Sequence, residues 1–215
     1  MSELRNDVVI NRALLTNPAL DSSAIAVRGT LFHVFREAGD HDVTILRGDR
    51  VTGRLTVVVR PEGAASQVNL DLARLEAGTD RAASHTIREG GVMGFAVGLG
   101  IGRYAVVISH TAGGGSRTVL DSRGQLPVGD LFAVTLIAPG TYRATNLANQ
   151  TQLQVVVRTP RRGEPYSPAR PTLVRAGDDG FDPATAHILA GQSIVLLAET
   201  PARFLVEPAP PPGTP

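Results

Sequence analysis

The chain has 215 residues, 42% apolar and 19% charged, a composition with enough apolar surface for a folded core and unlike the polar, highly charged make-up of a disordered chain. Its 21 basic and 20 acidic residues leave a formal charge of +1, so there is no net field to hold a nucleic acid or an anionic membrane. No Cys is present, which excludes disulfides, thiolate metal sites and Cys nucleophiles together.

All the basic residues are Arg and none is Lys, a bias expected of a G+C-rich bacterial or phage genome. The first twenty residues, MSELRNDVVINRALLTNPAL, carry acids near the start and no long apolar run. They are read as neither a signal peptide nor a membrane span, which points to a cytoplasmic or particle-associated protein. Residues 8–15 form a candidate helix, closed by Asn17-Pro18.

From residue 42 onward the apolar runs are short: DVTILRG, RLTVVVRP, SQVNLDLARL, MGFAVGLG, RYAVVISH, LFAVTLIA, TYRATNL, LQVVVRT, TLVRAG, SIVLLAE and RFLVE. Runs of roughly 5–9 β-branched residues, separated by Gly, Pro, Asp or Asn, predict strands. The expected fold is all-β: an antiparallel β-sandwich, Ig-like or cupredoxin-like, as one sandwich or two in tandem. Residues 70–75 are a second, short helix candidate. Alternation within the runs places Phe95, Val97, Val106, Phe132, Val134, Val155 and Val195 in the core.

Gly113-Gly114-Gly115-Ser116 reads either as a long hairpin or as a domain boundary. Taken as a boundary it divides the chain into an N-terminal β domain, 1–112, and a second sandwich, 117–207. The second unit includes an extended Pro-rich connection at 160–171, and 208–215 follows as a disordered polyproline tail. On either side of the glycines the chain repeats a phrase, FAV followed by Gly-x-Tyr, which sets Tyr104 and Tyr142 just after Gly turns. Both are candidates for a tyrosine corner, in which the hydroxyl turns back to cap the preceding loop.

Within 172–207, Phe181 and Pro183 form an F-x-P, and Ala190 and Gly191 lead into the apolar strand SIVLLA. This segment resembles the opening half of a cupredoxin-like domain. The resemblance implies a sandwich scaffold with Phe181, Pro183 and Gly191 in structural roles. The family's first His ligand would fall near Arg203 or Phe204, and the chain has no Cys, so type 1 copper is excluded.

Asp40-His41-Asp42 offers three ligand atoms in a row, but in a strand the two acids face away from His41, so one metal cannot take all three. The remaining histidines, His33, His85, His110 and His187, have no ligand spacing. Residues 177–182, GDDGFD, lack the register of a calcium loop and read as an Asx-stabilised turn. Gly98, Gly100 and Gly102 do not make a G-x-G-x-x-G, and no helix pattern follows to meet a phosphate. Asn149-Gln150-Thr151 matches a glycosylation acceptor, to which no role is assigned. No nucleophile motif and no Ser, His and Asp set can be drawn, so no catalytic, cofactor or metal site is expected.

These readings favour a non-enzymatic structural subunit that assembles with itself or with other structural subunits into a shell, sheath, filament or virion. The alternatives are a carbohydrate or small-ligand binding module, weakened by the absence of Trp, and a metal-dependent enzyme using His33, His41 or His110.

Overall fold

The computed structural model describes residues 19–62, 64–79, 84–162 and 170–210. Among these the first strands are β1 (Leu20–Asp21), β2 (Gly29–Phe35), β3 (Gly39–Arg47), β4 (Arg50–Arg60) and β5 (Ala65–Asp71). A five-residue helix, α1 (Leu72–Glu76), follows. Then come β6 (Ser84–Ala96), β7 (Ala105–Ala112), β8 (Gly115–Asp121), β9 (Leu131–Thr135), β10 (Gly140–Asn146) and β11 (Thr151–Arg158). The last strands are β12 (Thr172–Gly177), β13 (Gly180–Asp182), β14 (Thr185–Leu189), β15 (Ser193–Ala198) and β16 (Phe204–Pro208). The chain is all-β, as its short apolar runs require.

Two sheets hold these strands. The smaller runs β1-β16-β10-β11-β14, and the larger, of 11 strands, runs β13-β12-β15-β9-β2-β6-β4-β3-β7-β8 with β5 also paired to β6. Four pairings, β4 with β6, β5 with β6, β11 with β14 and β12 with β15, are parallel. The expectation of purely antiparallel sheets is therefore corrected. A parallel pair needs a crossover, and the chain supplies one each time. Between β4 and β6 it passes through β5 and α1, and between β12 and β15 through β13 and β14.

Gly113 and Gly114 are the turn of the β7–β8 hairpin, at φ +58 and +80, a region open to Gly without a Cβ penalty, and Gly115 and Ser116 already belong to β8. Hydrogen bonding does not break at 112/117. Residues 29–32 of β2 pair with β9, and β1 pairs with β16, so strands from both sides of that division share both sheets.

Phe95, Val97, Val106, Phe132, Val134 and Val155 are all buried. Val195 is the exception: it is only half-buried, and Ile194, Leu196 and Ala198 face the core instead. In SIVLLA every residue after the Ser is apolar, so the sequence carries no phase, and one step of register exchanges the faces. Residues 8–15 lie outside the described residues, as do 163–169 of the Pro-rich connection. The second predicted helix is α1, which starts two residues late because Leu70 still belongs to β5. Of the expected tail, residues 211–215 lie outside the described residues, whereas Pro208 closes β16 opposite Tyr142 and the Ala209 amide donates to Thr141 O at 2.9 Å.

Candidate functional site

Strand alternation builds one polar cluster inside this apolar frame. On β2 the residues Leu31, His33 and Phe35 turn inward; on β3 so do His41, Val43 and Ile45; on β7, Ile108 and His110. Antiparallel pairing sets His41 opposite His110, and their rings stack with centroids 4.4 Å apart and planes 15° from parallel. The Phe35 ring stands edge-on to both His41, at 5.1 Å, and His33, at 4.8 Å. Although β2 and β3 are separated in the sheet by β6 and β4, the short 36–38 turn joins their ends, and the sheet curls back far enough for Phe35 to meet His41.

Hydrogen bonds fix each ring. His33 donates from Nδ1 to Asp130 Oδ2 at 2.7 Å, and Asp130, fully buried, accepts the Val34 amide on its other oxygen at 3.2 Å. His110 faces Glu37 Oε2 with Nδ1, at 3.1 Å, and the Ala38 carbonyl with Nε2, at 3.2 Å. Arg117 Nη2 reaches both oxygens of Glu37, at 2.7 and 2.8 Å. This contact, with His110, holds the Glu37 carboxyl below its usual range. Burial, reinforced by the neighbouring His110, pushes the His41 imidazole down, and the Gly39 carbonyl at 3.4 Å from Nδ1 opposes the shift.

A cleft of about 210 Å³ opens beside these rings, lined among others by His33, Arg36, Glu37, His41, Arg117 and Thr118. Arg36 is clamped across it, donating from Nη2 to Val128 O at 2.7 Å and from Nη1 to Val34 O at 3.4 Å. Gly129, at φ +85, makes room for that guanidinium, since a Cβ there would lie 2.0 Å from Nη2.

Of the residues singled out in the sequence, His41 is buried while Asp40 and Asp42 are exposed, so Asp40-His41-Asp42 does not converge. His85 and His187 lie outside the cluster, half-buried and exposed. Among the described residues no group of three or more His, Asp or Glu could hold a metal ion. No described Phe or Tyr is exposed; Phe32 is half-buried and the remaining Phe, with Tyr104 and Tyr142, are buried. Tyr142 donates its hydroxyl back to Ala138 O at 3.0 Å. Tyr104 does not cap its own loop: its hydroxyl goes to Glu76 Oε2 at 2.5 Å, at the end of α1. Phe181 is buried against Phe204, with ring centroids 6.2 Å apart, Pro183 is exposed, and Gly191 sits at φ +88 with its amide on Leu136 O at 2.7 Å. Sequence reasoning missed the convergence of His33, His41 and His110. The signal was their phase in LFHVF, HDVTI and VVISH, where each histidine falls in step with core positions.

A second feature lies between β6 and β7. In Gly98-Leu99-Gly100-Ile101-Gly102 the two apolar side chains are 62% and 81% exposed. The base of this loop is held firmly. Asp71 caps α1 by accepting the Ala73 and Arg74 amides, and the same Oδ1 accepts the Gly98 amide at 3.3 Å. At the other end Gly102 lies flat on the Tyr104 ring, where a Cβ would come within 2.5 Å. No helix among the described residues is long and apolar enough to cross a membrane. Comparison of the chain with protein-family models, with curated proteins and with solved structures finds no match.

Proposed function

We propose that the protein is a non-enzymatic structural subunit, a β-sandwich scaffold whose copies associate through the 98–102 loop. The observation that carries this reading is the exposure of Leu99 and Ile101 on a loop anchored at both ends by Asp71 and Tyr104. Burying one such side chain in an interface contributes about 1.5–3 kcal/mol, and a pre-positioned tip loses little entropy on docking. A second copy is the fitting partner because a chain of formal charge +1 raises no repulsion between copies.

The sandwich reading is supported by the C-terminal strands, which alternate between sheets: β12 and β15 in the larger, β14 and β16 in the smaller. Phe181 of β13 meets Phe204 of β16 across the two sheets. The cupredoxin-like resemblance of 172–207 belongs to the same proposal, as a scaffold without copper ligands.

Sedimentation velocity over a concentration series tests the reading. The wild type is expected to form a discrete oligomer, and the Leu99→Ser, Ile101→Ser double variant to sediment as a monomer with an unchanged melting temperature. A wild type that stays a 22.6 kDa monomer at every concentration would overturn it, as would a double variant with the same oligomer size.

A further inference from the structure

We propose that the stacked His41–His110 pair is an acid-released latch: it accepts a first proton on His110, and a second, on His41, parts the rings and frees the 36–38 turn from the end of the β3–β7 ladder. The turn depends on side chains, because among the described residues 36–38 make no backbone-to-backbone hydrogen bond. Arg36 reaches Val128 O, Arg117 reaches Glu37, and His110 faces Glu37 Oε2 with Nδ1, at 3.1 Å, and Ala38 O with Nε2, at 3.2 Å. Gly39 fits tightly against the same ring, where a Cβ would lie 2.9 Å from Nε2. The histidine pair thus joins the turn to β7 and, through β3, to the sheet.

The two rings are not equivalent. Both nitrogens of His110 face acceptors, so a neutral ring, with one N–H, serves one of them and a protonated ring serves both. His41 faces one acceptor, Gly39 O, which its neutral ring already satisfies. The groups packed around His41 oppose a further proton. His110 of β7 lies face to face with it at 4.4 Å, His33 approaches from β2, and Arg36 and Arg117 line the same cleft. On β4 the residue opposite His41 is the uncharged Val57, and Asp40 and Asp42 of its own strand are exposed on the other face. The carboxylates of the cluster are engaged elsewhere, Asp130 by His33 and Glu37 by Arg117 and His110. Burial and the charge of His110 accordingly hold the His41 imidazole below its ordinary value. A second proton would set two cations 4.4 Å apart in a buried stack, where like charges repel strongly. Parting the rings relieves that repulsion and uncovers Phe35, which is fully buried and edge-on to His41.

A pH titration of the full-length protein, read at the imidazole nitrogens and by amide hydrogen exchange, tests the latch. His110 is expected to become protonated at a higher pH than His41. With intrinsic exchange corrected for, amides 40–42 and 109–111, beside the pair, should lose protection below the His41 titration by roughly tenfold per pH unit, the slope of one coupled proton. Amides 44–46 and 105–107, at the other end of the same ladder, should hold their protection over that range. His41→Phe keeps a ring against His110 and takes no proton, so its amides 40–42 should lack the slope. Protonation of His41 before His110 overturns the proposal, as does protection that is independent of pH or lost equally at both ends of the ladder. A folded His41→Phe protein with the wild-type slope overturns it as well. Because the order of protonation and the comparison of ladder ends are read on the wild type, a folding defect in His41→Phe does not decide the result.

Discussion

His41 illustrates how one side chain can be placed by sequence and yet understood only in the fold. The alternation of HDVTI puts it on the inner face of β3, but its partners come from β2 and β7, and no spacing in the chain announces a ring stacked at 4.4 Å. Its imidazole is pushed below the ordinary value of 6.5, chiefly by burial. A base depressed in the folded state contributes stability that is complete above 6.5 and lost as the pH falls through the lowered value. The urea midpoint should therefore drop on acidification, and His41→Phe, which keeps a ring against His110, should drop less; an identical acid loss in both proteins would contradict this. Tyr104 titrates in the opposite sense. Burial and the hydrogen bond to Glu76 raise its phenol to about 12, so its contribution is complete below 10 and lost as the pH rises through about 12. Ultraviolet titration should show one phenol ionising late, together with unfolding, and Tyr104→Phe should remove that step. Tyr142→Phe loses the bond to Ala138 O and should cost about 0.5–1.5 kcal/mol in a denaturation experiment. Tyr104 and Tyr142 read alike in the sequence because each follows a Gly turn. What separates them is α1, which brings Glu76 to Tyr104 from 28 residues away.

At the scale of elements, β6 explains most of the topology. Its first half, 84–88, pairs with β4, while residues 91–96 pair with β2, so one strand of 13 residues serves two sets of partners. The change falls at Gly90-Gly91, where Gly90 takes φ +72 and a Cβ on Gly91 would lie 2.7 Å from the Arg88 carbonyl oxygen. Backbone cannot yield as a side-chain tip can. Gly91→Ala should destabilise by about 1–3 kcal/mol, measured by urea denaturation, and an unchanged midpoint would show that the bend has slack. Helix α1 was legible as a short apolar stretch, and Asp71 is its cap. That Asp71 also holds the base of the 98–102 loop was not legible, because the second bond joins residues 27 apart. The phase of β15 was hidden for a different reason: a strand apolar at every position after its first reads the same in either register.

For the whole molecule, the short interrupted runs were sufficient to give an all-β chain. The parallel pairs were not foreseeable, because parallel partners are distant in sequence and carry no turn signature. The same holds for the mixing of early and late strands in both sheets. That mixing has a direct consequence. Residues after Arg158 supply β15, which lies between β12 and β9, and β16, which lies between β1 and β10. A chain ending at Arg158 would leave long edges of β9 and β10 unpaired and should be insoluble, whereas one ending at Pro210 should melt as the full chain does. The smaller sheet, the larger sheet and α1 then act as a frame that presents the exposed apolar tip of Leu99 and Ile101, and the proposed association through that tip is read most directly by hydrogen exchange. Comparing dilute with concentrated wild type, amides of 98–102 should gain protection on association while the turn 113–114 does not, and the Leu99→Ser, Ile101→Ser variant should show no such gain. Exchange across 98–102 that is independent of concentration, in a wild type that nevertheless forms an oligomer, would contradict the assignment of the interface to this loop.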